Sequence, residues 1–162
     1  MIDKPLENYR YDYASECRSN PPKGMRAFEK GMRQNVRGES WGIMRCEKWG
    51  PNSASLHAEG RAIDWHLDAR NRAEKREARK LINLLLERDR RGNKAALARR
   101  MGVQGLIFNC HAWWSGMDGM GQYSYCFTDD GKKKKHLDPT AAHKDHVHIE
   151  LNWEGARKNT SF

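Results

Sequence analysis

Residues 146 to 153 read His-Val-His-Ile-Glu-Leu-Asn-Trp, a polar and an apolar side chain in strict turn. Successive side chains of a β-strand point to opposite faces. Val147, Ile149, Leu151 and Trp153 are therefore expected to face a core, and His146, His148, Glu150 and Asn152 to face away from it. A chain holding this strand needs a sheet with one face covered by apolar packing and the other given over to polar groups. Positions 62–67 repeat the pattern, with Ile63, Trp65 and Leu67 on one side and Asp64 and His66 on the other.

The remaining elements follow from spacing and punctuation. Positions 1–22 are irregular and end at Asn20-Pro21-Pro22. Met25, Phe28, Met32 and Val36 recur at intervals of three and four, which predicts a helix over 23–37. Gly, Ser, Asn and Pro between 38 and 55 predict short strands and loops. A helix is expected over 69–90, capped by Asp68, with Ala73, Ala78, Leu81, Ile82 and Leu85 as its apolar stripe and Gly92 after its end. Asn93 is a candidate cap for a shorter helix reaching Met101, stopped by Gly102. Positions 105–109 form a short apolar strand, and 110–140 a long loop with a lysine run at 132–135. No internal repeat is present.

Lys and Arg number 30 against 21 Asp and Glu, a net charge of +9. That surplus predicts an anionic partner: nucleic acid, a membrane surface or an anionic cell wall. No stretch approaches the ~20 apolar residues of a membrane span, and positions 1–17 lack the apolar core of a signal peptide. The expectation is a chain made in the cytoplasm without such a signal. The segment Ala95-Ala96-Leu97-Ala98-Arg99-Arg100-Met101-Gly102-Val103 reads like the start of a helix-turn-helix. Leu106-Ile107-Phe108 then places an apolar strand where a polar recognition helix belongs, which argues against nucleic acid.

Two segments hold the chemistry: Ser55-Leu56-His57-Ala58-Glu59-Gly60-Arg61-Ala62-Ile63-Asp64 and His143-Lys144-Asp145-His146-Val147-His148. A catalytic zinc takes three protein ligands of N or O type and leaves one position for water. Two histidines and a carboxylate supply such a set, and a further carboxylate can act as general base. The pattern S-x-H-x-x-G-x-A-x-D, followed roughly eighty residues later by D-x-x-H within an H-x-H strand, resembles the zinc D-alanyl-D-alanine peptidase and hedgehog-type fold family. The wider context is similar to an actinobacterial and phage branch of it, over about positions 46–156.

That resemblance implies zinc as cofactor, held by His57, Asp64 and His148, with Asp145 as catalytic base. Asp145 and His148 are separated by an odd number of residues, so Asp145 must sit at a bend before the strand. His146 shares the face of His148 and is a candidate for stabilising the oxyanion. His66 shares the face of Asp64 and is at most a support behind the ligands. Ser55 either orders the turn around His57 or contacts substrate. Arg45 is a candidate anion-binding residue, with an ordinary surface charge as the alternative. Trp113 and Trp114 are candidate cleft walls, or else core.

The implied fold is α+β, a small, mostly antiparallel sheet carrying the zinc ligands with helices packed on its other face. It forms a single domain, with 23–156 as the catalytic core. The implied function is hydrolysis of amide bonds in peptidoglycan stem peptides or cross-links, by a phage endolysin or its catalytic domain acting at the bacterial wall. A secreted D,D-carboxypeptidase of wall maintenance and a non-catalytic basic nucleic-acid-binding module are the alternatives. In a wall enzyme the lysine run can hold the protein near anionic polymers.

Cys17, Cys46, Cys110 and Cys126 form no CxxC pair, which argues against a ribbon-type zinc site. Three complete pairings are open to them, and four reduced thiols are a further alternative. An enzyme working outside the membrane meets oxidising conditions. Cys17 and Cys46 are therefore expected to come within bonding distance, with Cα atoms no more than about 7 Å apart. Cys110 with Cys126 is the second candidate pair.

Overall fold

In a computed structural model of the protein, which describes residues 6–161, the alternating segment forms a strand inside a six-stranded sheet. In chain order the elements are α1 (Lys23–Asn35), β1 (Glu39–Gly42), β2 (Lys48–Gly50), β3 (Ser53–Ala54), β4 (Ala62–His66), α2 (Arg72–Leu86) and α3 (Ala96–Met101). There follow β5 (Val103–Phe108), β6 (His111–Trp114), β7 (Gly121–Gln122), a 3-10 turn (Ser124–Cys126), β8 (His146–Leu151) and α4 (Trp153–Ala156). The sheet runs β1-β4-β8-β5-β6-β7, and each neighbouring pair is antiparallel. Strands β2 and β3 make a separate pair. The α+β class expected from the pattern is the class observed.

Alternation decides which face is dry. Ile63, Trp65, Val147, Ile149, Leu151, Leu106, Phe108 and Trp113 pack against Met25, Phe28 and Met32 of α1 and against Ala78, Leu81, Ile82 and Leu85 of α2. Burying each large apolar side chain contributes about 1.5–3 kcal/mol. No helix among the described residues is long and apolar enough to cross a membrane.

Local chemistry shifts several boundaries. Helix α2 is capped by Asn71, whose side chain accepts from the Ala73 and Glu74 amides. Asp68 instead binds Arg70, and Ala73 is exposed rather than part of the stripe. Helix α3 starts after Ala95, a left-handed residue with no side-chain cap, because the Asn93 amide is turned to Asp89. Strand β8 stops at Leu151: Asn152, expected to face away, is buried and caps α4 by accepting from the Gly155 amide. Trp153 then leaves the sheet and meets the guanidinium groups of Arg18, Arg61 and Arg157 at 4.6, 4.6 and 4.7 Å from its ring centre. Leu106-Ile107-Phe108 lies in β5, where the helix-turn-helix reading would need a recognition helix.

The polar face is roofed by two walls. In the first, Leu56, Ala58 and Ala54 pack with Ala14 and Tyr11 of the N-terminal segment, and the Cys17–Cys46 disulfide spans it with Cα atoms 5.4 Å apart. In the second, Ala142, Tyr123, Phe127 and Leu137 pack around the Cys110–Cys126 disulfide, whose Cα atoms are 5.6 Å apart. Both pairs close loops, of 29 and 16 residues, and so restrict the unfolded chain. Replacing Cys17 and Cys46 together by serine is expected to lower the unfolding free energy by about 3 kcal/mol in urea titrations. An unchanged midpoint would contradict the bracing role.

Candidate metal centre

Register brings two of the three expected ligands together. Strands β4 and β8 pair Asp64 with His148 and His66 with His146, so these side chains stand beside one another on the polar face. His57 arrives from a tight turn rather than a strand. The His57 amide donates to Ser55 Oγ at 3.3 Å, the Gly60 amide to the His57 carbonyl at 3.1 Å, and the Arg61 amide to the Leu56 carbonyl at 2.9 Å. Gly60 has φ +68°, and a Cβ there would lie 2.7 Å from Pro21 Cα and from Met44 Sδ. Only glycine fits, for both conformation and space. Ser55 thus orders the turn that presents His57.

Three donor atoms converge. His57 Nδ1 lies 2.8 Å from the Ile43 carbonyl, which can only accept, so the proton sits on Nδ1 and the Nε2 lone pair is free. That Nε2 is 3.2 Å from Asp64 Oδ1 and 3.3 Å from His148 Nδ1, and the last two atoms are 2.9 Å apart. Ligands about 2.0–2.1 Å from a tetrahedral cation stand about 3.3 Å apart. All three residues are buried, and as a group they can hold a metal ion.

The charges agree with that geometry. Burial pushes the Asp64 carboxyl up, but hydrogen bonds from His148 and His57 outweigh it and hold the group far below the usual carboxylate range. Burial opposes charge on His148, yet its bonds to Asp64 and Glu150 raise it to about 9. Two carboxylates facing one imidazole call for positive charge, as a proton or as a metal ion that displaces it.

Asp145 sits just before β8, at the bend its spacing requires. Its Oδ1 is 2.8 Å from His146 Nδ1, and its Oδ2 accepts from the Thr140 hydroxyl at 2.6 Å. Burial pushes this carboxyl up, but the Thr140 and His146 hydrogen bonds outweigh it and keep it low. On the far side of the ring, His146 Nε2 is 3.4 Å from Asp64 Oδ1. Asp145 therefore connects to the ligand triangle through His146. Behind it, His66 Nδ1 is 2.8 Å from the Asp145 carbonyl, a supporting place and not a ligand's.

Arg45 is half exposed and reaches Asp64 Oδ2 at 3.3 Å while its Nε binds Glu47. Trp113 is a correction: at 1% exposure it belongs to the core on the opposite face, away from the ligand triangle, the second of the two places open to it in the sequence. Trp114, one residue on, faces the polar side, edge-on to Tyr11 at 5.7 Å. The lysine run is an exposed loop, with Lys132 paired to Asp130 and Lys134 over the Tyr125 ring.

Two residues here had no role in the sequence reading. His143 lies with its ring centre 4.7 Å from that of His146 and 5.4 Å from that of His148, on a left-handed backbone of φ +50°. Burial, followed by the nearby His148 and His146, lowers it to about 3, so it stays neutral. Ala95, Asn109, Cys110 and Lys158 share that conformation, so it is the ring's place beside His146 and His148 that sets His143 apart, and sequence carries no sign of it. Trp41 is 48% exposed, stacks on His66 at 4.3 Å and lies 5.9 Å from His146. It takes the exposed aromatic place that Trp113 does not.

Comparison with curated proteins gives no match, and comparison with solved structures gives none. A family model described as VldE, C-terminal domain, matches residues 17–137. That span contains both disulfides, His57 and Asp64, and stops short of Asp145, His146 and His148. It covers well over half of the sequence, and the chain belongs to the VldE C-terminal domain family.

Proposed function

We propose that the protein is a zinc-dependent peptidase that hydrolyses amide bonds in peptidoglycan stem peptides or cross-links, as a phage endolysin or the catalytic domain of one. The observation that carries this reading is the buried His57, Asp64 and His148 triangle with the Asp145–His146 pair at its side. The order of the two segments in the sequence supports it. Zinc, when bound, supplies polarisation of the scissile carbonyl and acidification of a water molecule. A net charge of +9 suits an anionic wall, and two disulfides suit work outside a reducing cytoplasm.

The chain's own groups divide the remaining work. His57 holds its proton on Nδ1 against Ile43 and presents Nε2. The Asp145 carboxylate fixes a proton on His146 Nδ1, which leaves the Nε2 lone pair facing the triangle. The pair accepts the proton of the attacking water at that Nε2 and returns it to the leaving amine. Once protonated, His146 can also donate to the developing negative charge. Trp41 offers an exposed ring against which the substrate can lie.

The test is digestion of purified cell walls. New amino groups should appear in step with loss of turbidity, stop with a chelator and return with zinc, and mass spectrometry should place the cut in the peptide. Digestion indifferent to chelation, or clearance without new amino groups, would overturn the reading.

A further inference from the structure

Asp64 and His57 face one side of the His148 ring, and the other side is occupied as well. His148 Nε2 lies 3.0 Å from Glu150 Oε1. The Tyr11 hydroxyl donates to Glu150 Oε2 at 2.5 Å. Glu150 is buried and stands two residues along β8 from His148, hence on the same face. The neighbouring strand leaves room for its carboxylate. A side chain at Gly105 would drive its Cβ into Glu150 Oε2 and to 2.7 Å from the Trp114 ring.

Tyr11 itself is held. The Asp12 amide donates to Gln104 Oε1 at 2.8 Å, and Gln104 Nε2 returns a bond to the Asp12 carbonyl at 3.0 Å. Arg61 Nη2 donates to the carbonyls of Asp12 and Tyr13. The N-terminal segment, β5 and β8 thus converge on one carboxylate. Tyr11 and Glu150 both lie outside the span matched by the family model.

An imidazole gives one nitrogen to a metal, and the partner of the other nitrogen decides which. A carboxylate only accepts, so Glu150 keeps a proton on Nε2 and turns Nδ1 toward Asp64 and His57. We infer that Glu150, held by Tyr11, is a positioning residue for the metal ligand His148, which makes the N-terminal segment a working part of the metal centre. The inference rests on the reading of the triangle as a metal site.

The test is zinc affinity of the full chain, measured by competition with a chromophoric chelator, beside far-UV circular dichroism of the metal-free protein. Glu150→Leu should bind zinc about 10–100-fold more weakly. Glu150→Gln keeps an acceptor for the Nε2 proton and should recover most of that loss. Tyr11→Phe removes one hydroxyl that touches Glu150 and should weaken zinc several-fold with the fold intact, so it decides the matter if Glu150→Leu does not fold. Wild-type affinity in folded Glu150→Leu and Tyr11→Phe, while His57→Ala loses zinc, overturns this inference alone. Wild-type affinity in His57→Ala overturns the metal site and the inference with it.

Discussion

Asp145→Asn is expected to leave zinc bound and to lower kcat by about two to four orders of magnitude, the usual worth of a positioned proton acceptor. Asparagine keeps the size of the side chain and an oxygen able to accept from His146 or Thr140, so the bend before β8 should survive. What is lost is the negative charge that supports a second proton on His146. The measurement is kcat on a defined stem peptide, with metal content determined on the same sample. Near wild-type turnover would remove the pair from the chemistry. Glu150 could not simply replace it, because both its oxygens are engaged, by His148 and by Tyr11.

Arg61→Ala is expected to cost about 3–5 kcal/mol of stability, the range for breaking a buried ion pair by removing one partner. Arg61 is fully buried, and its Nε donates to Glu59 Oε2 at 2.8 Å. Its other nitrogens donate to the carbonyls of Leu151, Asp12 and Tyr13. Alanine would take this donor from the Leu151 and Tyr13 carbonyls and leave Glu59 buried without its cation, although the Asp12 carbonyl keeps its bond from Gln104. A domain of ordinary stability has only about 5–15 kcal/mol to lose.

The pH dependence has a definite sign. Burial pushes the Glu59 carboxyl up, but bonds from the Ser15 amide and from Arg61 outweigh it, so its folded value lies below normal. A carboxyl depressed in the folded state contributes stability above its unfolded pKa, about 4.3. That contribution is lost as the pH falls through the folded value. Without Arg61 the Glu59 pKa rises, so the variant's deficit in urea titrations should shrink on acidification from pH 7 to about pH 4. An equal deficit at both pH values would contradict the pairing.

Much of this arrangement is legible in the chain, for reasons that differ by element. The faces of β8 and β4 follow from period two, and α1 follows from Met25, Phe28 and Met32 at helical spacing. Strand β6 is not legible. The hairpin joining it to β5 turns on Asn109 and Cys110, both left-handed at φ 49° and 65°. Such turns are signalled by Asn-Gly, and cysteine in the second place hides the signal. Trp113 and Trp114 look alike as a pair, yet once β6 exists they point to opposite faces and only one can be core. At the site, the resemblance of the two segments to the zinc peptidase family implies the three candidate ligands, but their meeting depends on the Asp64 with His148 register, a property of the folded sheet. Glu150 shares the face of His148 by the same period of two, but the place of Tyr11 behind Glu150 links residues 139 apart and leaves no local trace.

The central claim is that His57, Asp64 and His148 hold one catalytic zinc. Elemental analysis of zinc-loaded, desalted protein tests it most directly, with Asp145→Asn as the control that keeps the triangle whole. The account predicts one zinc per chain in the wild type and in Asp145→Asn, and none in His57→Ala or His148→Ala. A full complement of zinc in both histidine variants would contradict it.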